Sequence, residues 1–208
     1  MSLMSKNARL FLIRATIGAT VVGSSLALAC STPTKVTSEW RDPSRVPRPM
    51  QRVVVIALRL PSAQRHTLED KLVASLGESG MASAPSYQLL GEALPDSATA
   101  HSVLTRAGYD GALVVTMLGI TEEPTYVPGD AAMVWGGPFW GSASDSGYIV
   151  TDETVAFDST LWDLRDGKLA WTMTTETDNP KSAPDFAKSL SGQLVAKLVR
   201  LGFIARQR

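Results

Sequence analysis

A single cysteine in 208 residues, Cys30, excludes any disulfide within the chain. The fold must therefore stand on packing alone. Histidine is almost as scarce, with His66 and His101 the only two. Each is expected on the surface of a different helix, so a Ser-His-Asp or Cys-His arrangement has little to draw on. No cluster has the ligand spacing of a zinc site, and neither a metal nor a cofactor is expected. The Gly-rich "PGDAAMVWGGPFWG" lacks the lysine and Ser/Thr of a P-loop. There is no G-x-S-x-G elbow, and "DLRDG" lacks the alternating acids of a calcium loop. Basic residues are absent from the centre of the chain: between Ala107 and Leu164 there is no Lys or Arg, against nine acids. Nucleic acid is not an expected partner, because binding it takes a basic stripe.

A long hydrophobic run is missing as well. The apolar stretch from Ala15 to Ala29 falls short of the roughly 20 residues that a transmembrane helix needs. It follows Lys6, Arg9 and Arg14 with no acid among them, and it ends in small residues. This is the order of a secretory signal over residues 1–29. Two cleavage sites are open. Ala27-Leu28-Ala29 fits an ordinary A-x-A site and leaves a free cysteine at the start. "LALAC" resembles a bacterial lipobox, although the leucine usual three places before the cysteine is Ala27 here, between Leu26 and Leu28.

The lipobox resemblance implies that Cys30 becomes the first residue and is acylated on sulfur and nitrogen, with palmitate-type chains. An unpaired thiol in an oxidising compartment is a liability that acylation removes. Each buried methylene adds about 0.8 kcal/mol, and stable anchoring takes more than one chain. Ser31, where an aspartate would favour inner-membrane retention, implies by the same resemblance an outer-membrane anchor facing the periplasm.

Loss of the signal leaves the chain acidic by three charges, with its basic residues toward the new terminus. Lys35 to Arg52 holds five basic residues against Glu39 and Asp42, a bias that suits an anionic membrane surface or reflects ordinary solvated charge. Residues 30–50 read as a lipidated tether interrupted by prolines, with "KVTSEW" as a short edge strand that sets Val36 and Trp40 on one side and Thr37 and Glu39 on the other.

Residues 51–208 read as one α/β domain. "RVVVIALRL" is a buried strand, and Leu68, Leu72, Val73 and Leu76 mark a helix from Pro61 to Leu76. "SYQLL" is expected as a second strand. Asp96 or Ser97 caps a helix to Ala107, and "GALVVTMLGI" is a third strand. This β-α-β-α-β order predicts parallel pairing with right-handed crossovers. A long antiparallel hairpin then turns at Asp166-Gly167. Val155, Phe157 and Leu161 share one face, as do Leu169, Trp171 and Met173. Ser182 caps a final helix whose stripe of Phe186, Leu190, Leu194, Val195, Leu198 and Leu201 packs on the sheet or docks a partner.

A Gly/aromatic loop at 122–147 is longer than a compact domain usually leaves unstructured. Its Tyr126, Trp135, Phe139 and Trp140 suit recognition of a protein surface or glycan, or fold back as a lid over a sheet edge. Glu122-Glu123 and Asp152-Glu153 flank it. Neighbours on a strand point to opposite faces, so neither pair makes a natural acid/base dyad.

The segments "SEWRDP", "RVVVIAL", "PSYQLL", "TYVPG" and "LWDLRDGKLAWTMTTET" resemble those of a group of small bacterial lipoproteins with no assigned reaction. The element order is also similar to the N-terminal domain of TolB and to lipoprotein activators of penicillin-binding proteins, a likeness of fold that implies no function. The sequence thus points to a non-catalytic outer-membrane lipoprotein. Its partners would be the membrane, through the lipid, and a cell-envelope protein or glycan. The alternative is a soluble periplasmic hydrolase using acids beside the loop.

Overall fold

The computed structural model describes residues 33–46, 48–127, 132–133, 142–143 and 148–205. In chain order these form β1 (Thr34–Arg41), β2 (Arg52–Leu58), α1 (Ser62–Glu78), β3 (Ala82–Pro85), α2 (Ser86–Leu90), α3 (Ser97–Arg106) and β4 (Gly111–Val127). There follow β5 (Ala132–Met133), β6 (Ser142–Ala143), β7 (Tyr148–Asp163), β8 (Lys168–Asp178) and α4 (Ala183–Arg200). Six strands make one mixed sheet in the order β1-β8-β7-β4-β2-β3. β2 lies parallel to β3 and β4, and the other pairings are antiparallel. The layered α/β architecture, the parallel pairing of β2 with β3 and β4, the long hairpin and the closing helix are as the sequence predicts.

β2 reads as an unbroken apolar run because both of its faces are covered. Val53, Val55 and Ala57 pack with Leu68, Leu72 and Leu76 of α1 and with Leu190, Leu194 and Leu198 of α4. Val54 and Ile56 point the other way, toward Leu104 of α3. β7 alternates because one face alone is covered: Val155, Phe157 and Leu161 join the α1/α4 core around the fully buried Trp171. Two caps read from sequence are formed. The Asp96 carboxylate accepts from the Ala98 and Thr99 amides, and Ser182 Oγ accepts from the Asp185 amide. Gly167 takes φ +67° in the hairpin turn, a conformation that favours glycine.

Three expectations are corrected. "SYQLL" is helix α2, and the strand is the four residues before it. The cause lies in α1. Glu69, fully buried, accepts from the Ser86 amide at 2.8 Å, the Tyr87 amide at 3.4 Å and the Ser86 hydroxyl at 2.8 Å. These are donors of the first turn of α2, which an extended chain would aim elsewhere. The second correction concerns β1. A bulge between Val36 and Ser38 shifts the register, so Glu39, and not Trp40, shares the helix-covered face with Val36. The third is in β8, where Trp162 pairs with Leu169 but Leu161 pairs with Trp171. The extra residue, Ala170, puts Leu169 opposite Trp162 and off the face of Trp171.

Candidate functional site

β4 and β7 stay paired well beyond their neighbours. β2 ends against β4 at Thr116, and β8 ends against β7 at Thr154. Past that row the ladder continues for six pairs, from Glu122↔Glu153 to Val127↔Tyr148. The result is a two-stranded arm. The segment expected as loop from residue 122 thus begins with six residues of strand, and the other side of the arm includes residues 148–153.

The arm carries apolar side chains that a core would normally take. Tyr126 is 63% exposed, Tyr148 62% and Ile149 68%. Tyr126 and Ile149 are direct cross-strand partners. Tyr126 stands out into solvent, and no lid over the sheet forms at that residue. Trp135, Phe139 and Trp140, named with it as candidate binding residues, lie outside the described residues, as does Cys30. Tyr148, Ile149 and Val150 escaped the sequence reading, although the "YIV" triplet beside the loop was the available signal.

The acids acquire a relationship that adjacency in sequence did not suggest. Glu122 faces Glu153, and Glu123 faces Asp152. Like charges directly opposite one another weaken a ladder. Asn179, in the left-handed region at φ +47°, fastens the base of the arm. Its side chain donates to Asp152 Oδ1 at 2.8 Å and accepts from the Glu153 amide at 2.8 Å, while its own amide donates to the Glu153 carbonyl at 2.6 Å. Of the four acids, Glu153 alone borders the groove at the arm's base, an apolar cleft of ≈ 200 Å³ lined by Leu60, Met117, Ile120, Phe157 and Phe186. Asp152 is exposed on the strand.

Other polar clusters serve the frame. Glu69 Oε1 also accepts from the Ala57 amide at 2.9 Å and from Arg65 Nε at 3.0 Å, and Arg65 continues to the Glu92 carbonyl at 2.7 Å. This buried pair is hydrogen-bonded all round, which makes it a brace between α1, β2 and α2. Near the hairpin turn, Arg165 holds Asp163 with two bonds of 2.8 Å, and Arg45 reaches Asp163 at 3.2 Å and also Asp166. Burial pushes the Asp163 carboxyl up, but the bonds from Arg165 outweigh it and hold it below the usual carboxylate range. The segment after β1 is thereby tied to the body through Arg45, and the Asp42 amide donates to the Ala170 carbonyl at 3.3 Å. On β1 itself, Glu39 accepts from Trp171 Nε1 at 3.1 Å and from the Lys197 ammonium of α4. Burial again opposes ionisation there, and the Lys197 and Trp171 bonds more than offset it, lowering the Glu39 value.

The histidines stay apart. His66 stacks on Tyr87 and bonds Glu92, whereas His101 Nε2 donates to the Leu164 carbonyl at 2.9 Å. Among the described residues no group of three His, Cys, Asp or Glu is placed to hold a metal ion, and no helix is long and apolar enough to cross a membrane.

No family model matches the sequence, and no curated protein matches it. Similar solved structures do exist. The PelC dodecamer from Paraburkholderia phytofirmans is 15% identical over 83% of this chain and 99% of its own, with a TM-score of 0.44. Lipoprotein GNA1162 from Neisseria meningitidis is 14% identical over 72% of this chain and 98% of its own, with a TM-score of 0.41. Protein XCC0632 from Xanthomonas campestris, of the DUF330 group, is 13% identical over 78% of this chain and 91% of its own, at 0.38. Likenesses of this order say nothing about activity.

Proposed function

We propose that this chain is an exported lipoprotein, held by an acylated Cys30 on the periplasmic face of the outer membrane. There it acts as a non-catalytic binding module for another component of the cell envelope. The observation that supports this reading is the arm. A two-stranded ribbon with Tyr126, Tyr148 and Ile149 in solvent contributes nothing to the core, and exposed aromatics on a protruding element are the usual anchors of an interface. Its acids add charge that steers a complementary partner and discourages wrong ones.

The chain enters the sheet close in sequence to Cys30. Thr34 is the fourth residue after Cys30 and opens the edge strand β1 opposite Thr177. That row runs on through Val155 to Ile120, and the arm leaves the sheet from the same end. The test is co-purification from envelopes with the full-length protein, alongside a variant lacking residues 130–145 and a Tyr126→Ser/Ile149→Ser variant. Specific partners captured by the full chain and lost by both variants support the module. Partners retained by both variants contradict it.

A further inference from the structure

α3 covers one half of the second sheet face, and the other half, formed by β7, β8 and β1, carries no helix among the described residues. The bulge in β1 turns Trp40 toward this face, where it is 46% exposed. Trp162 of β7 lies on the same face and is 38% exposed. Trp40 pairs with Thr172, and Thr172 pairs with Thr160, two residues from Trp162. With strands about 4.8 Å apart and a rise of about 3.3 Å per residue, the two tryptophans stand roughly 12 Å apart.

The floor around them is hydroxylic. Ser38 Oγ donates to Thr174 Oγ1 at 2.9 Å. Thr174 and Thr172 both donate to Asp158 Oδ1, at 3.3 and 3.2 Å. Trp162 Nε1 donates to Thr160 Oγ1 at 3.2 Å, which pins the indole. Beside Trp162 the sheet dips under α3 in an apolar groove of ≈ 510 Å³, lined by Leu90, Leu94, Leu104, Val114 and Leu164.

We infer that this face binds a neutral, N-acetylated glycan strand. Two spaced indole faces suit the apolar faces of sugar rings. The threonine row and Asp158 offer hydrogen-bonding groups to ring hydroxyls, with a charged acceptor among them. The groove beside Trp162 takes acetyl methyls. Stacked aromatics on a sheet also serve single-stranded nucleic acid, but this face offers Asp158 and Glu176 against one cation, Lys35, which is paired with Asp178, so its balance repels phosphates. An uncharged polyhydroxyl ligand meets no such penalty. The inference depends on neither the arm nor acylation of Cys30.

The experiment uses chitohexaose as the probe, titrated into the chain from Cys30 onward and followed by calorimetry and tryptophan fluorescence. Saturable binding is expected, with Trp40→Ala and Trp162→Ala each weakening it about tenfold and Asp158→Asn also weakening it. Circular dichroism establishes that these variants fold, and Tyr126→Ser/Ile149→Ser is expected to bind chitohexaose as the parent does. Absence of saturable binding by the folded parent overturns the inference, as does undiminished binding by both tryptophan variants. Sedimentation showing a parent dimer that Trp40→Ala dissolves also overturns it, because a second copy would then occupy the face.

Discussion

Glu122 of β4 stands directly across the ladder from Glu153 of β7, and the next pair out, Glu123 and Asp152, repeats the opposition. Two facing carboxylate pairs sit at the base of an arm that no other strand flanks among the described residues. Each pair works against the hydrogen bonds that form the arm, and the partner proposed above would relieve that repulsion.

Removing the repulsion at one pair should therefore tighten the arm. Glu122→Gln is expected to stabilise the local ladder by about 0.5 kcal/mol, seen as slower hydrogen exchange at the arm amides with little change in global stability. Exchange unchanged or faster in the variant would count against the opposition as a destabilising feature.

Glu69 acts from within α1 on the local structure of α2. Glu69→Ala leaves Arg65 buried without its carboxylate and frees the Ser86 and Tyr87 amides, so a loss of about 3–5 kcal/mol is expected. Urea unfolding measures it, and a shift in midpoint below 1 kcal/mol equivalent would contradict the brace. Leu194→Ala, at a fully buried position of α4, should cost about 2–5 kcal/mol in the same assay.

Stability should fall in acid for a stated reason. Glu39 and Asp163 both titrate lower in the folded chain than their ordinary values of 4.5 and 3.8. As pH falls through that range, the unfolded chain takes up protons that the folded chain resists. Their contribution is thus complete above the ordinary values and disappears as pH drops through the lowered ones. Lys197→Met removes the main partner of Glu39. Thermal unfolding between pH 6 and pH 3 should therefore show a shallower acid loss for this variant than for the parent. An equal or steeper loss would remove Glu39 from the account.

The fold was legible wherever a local rule agreed with burial. β2 declared itself because both faces are covered, and the caps at Asp96 and Ser182 combine side-chain chemistry with helical spacing. What escaped was set from a distance. "SYQLL" has no signal of its own against a strand, and Glu69, seventeen positions before Ser86, decides it. The faces of Glu39 and Leu169 depend on bulges that alternation alone does not reveal. The arm escaped for the opposite reason: residues 121–127 have no core to alternate against, so their strand lacks the period that marks one. Tyr126 stands out in the sequence as a loop aromatic, whereas its cross-strand neighbour Ile149 becomes visible once the register is known.

The proposed anchor at Cys30 sets the location in this account, and mass spectrometry of the N-terminal peptide from the protein isolated from its native membranes tests it most directly. The account predicts a peptide that begins at Cys30 and carries the added mass of acyl chains. A peptide that begins at Cys30 with an unmodified thiol, or that retains residues 1–29, would contradict it.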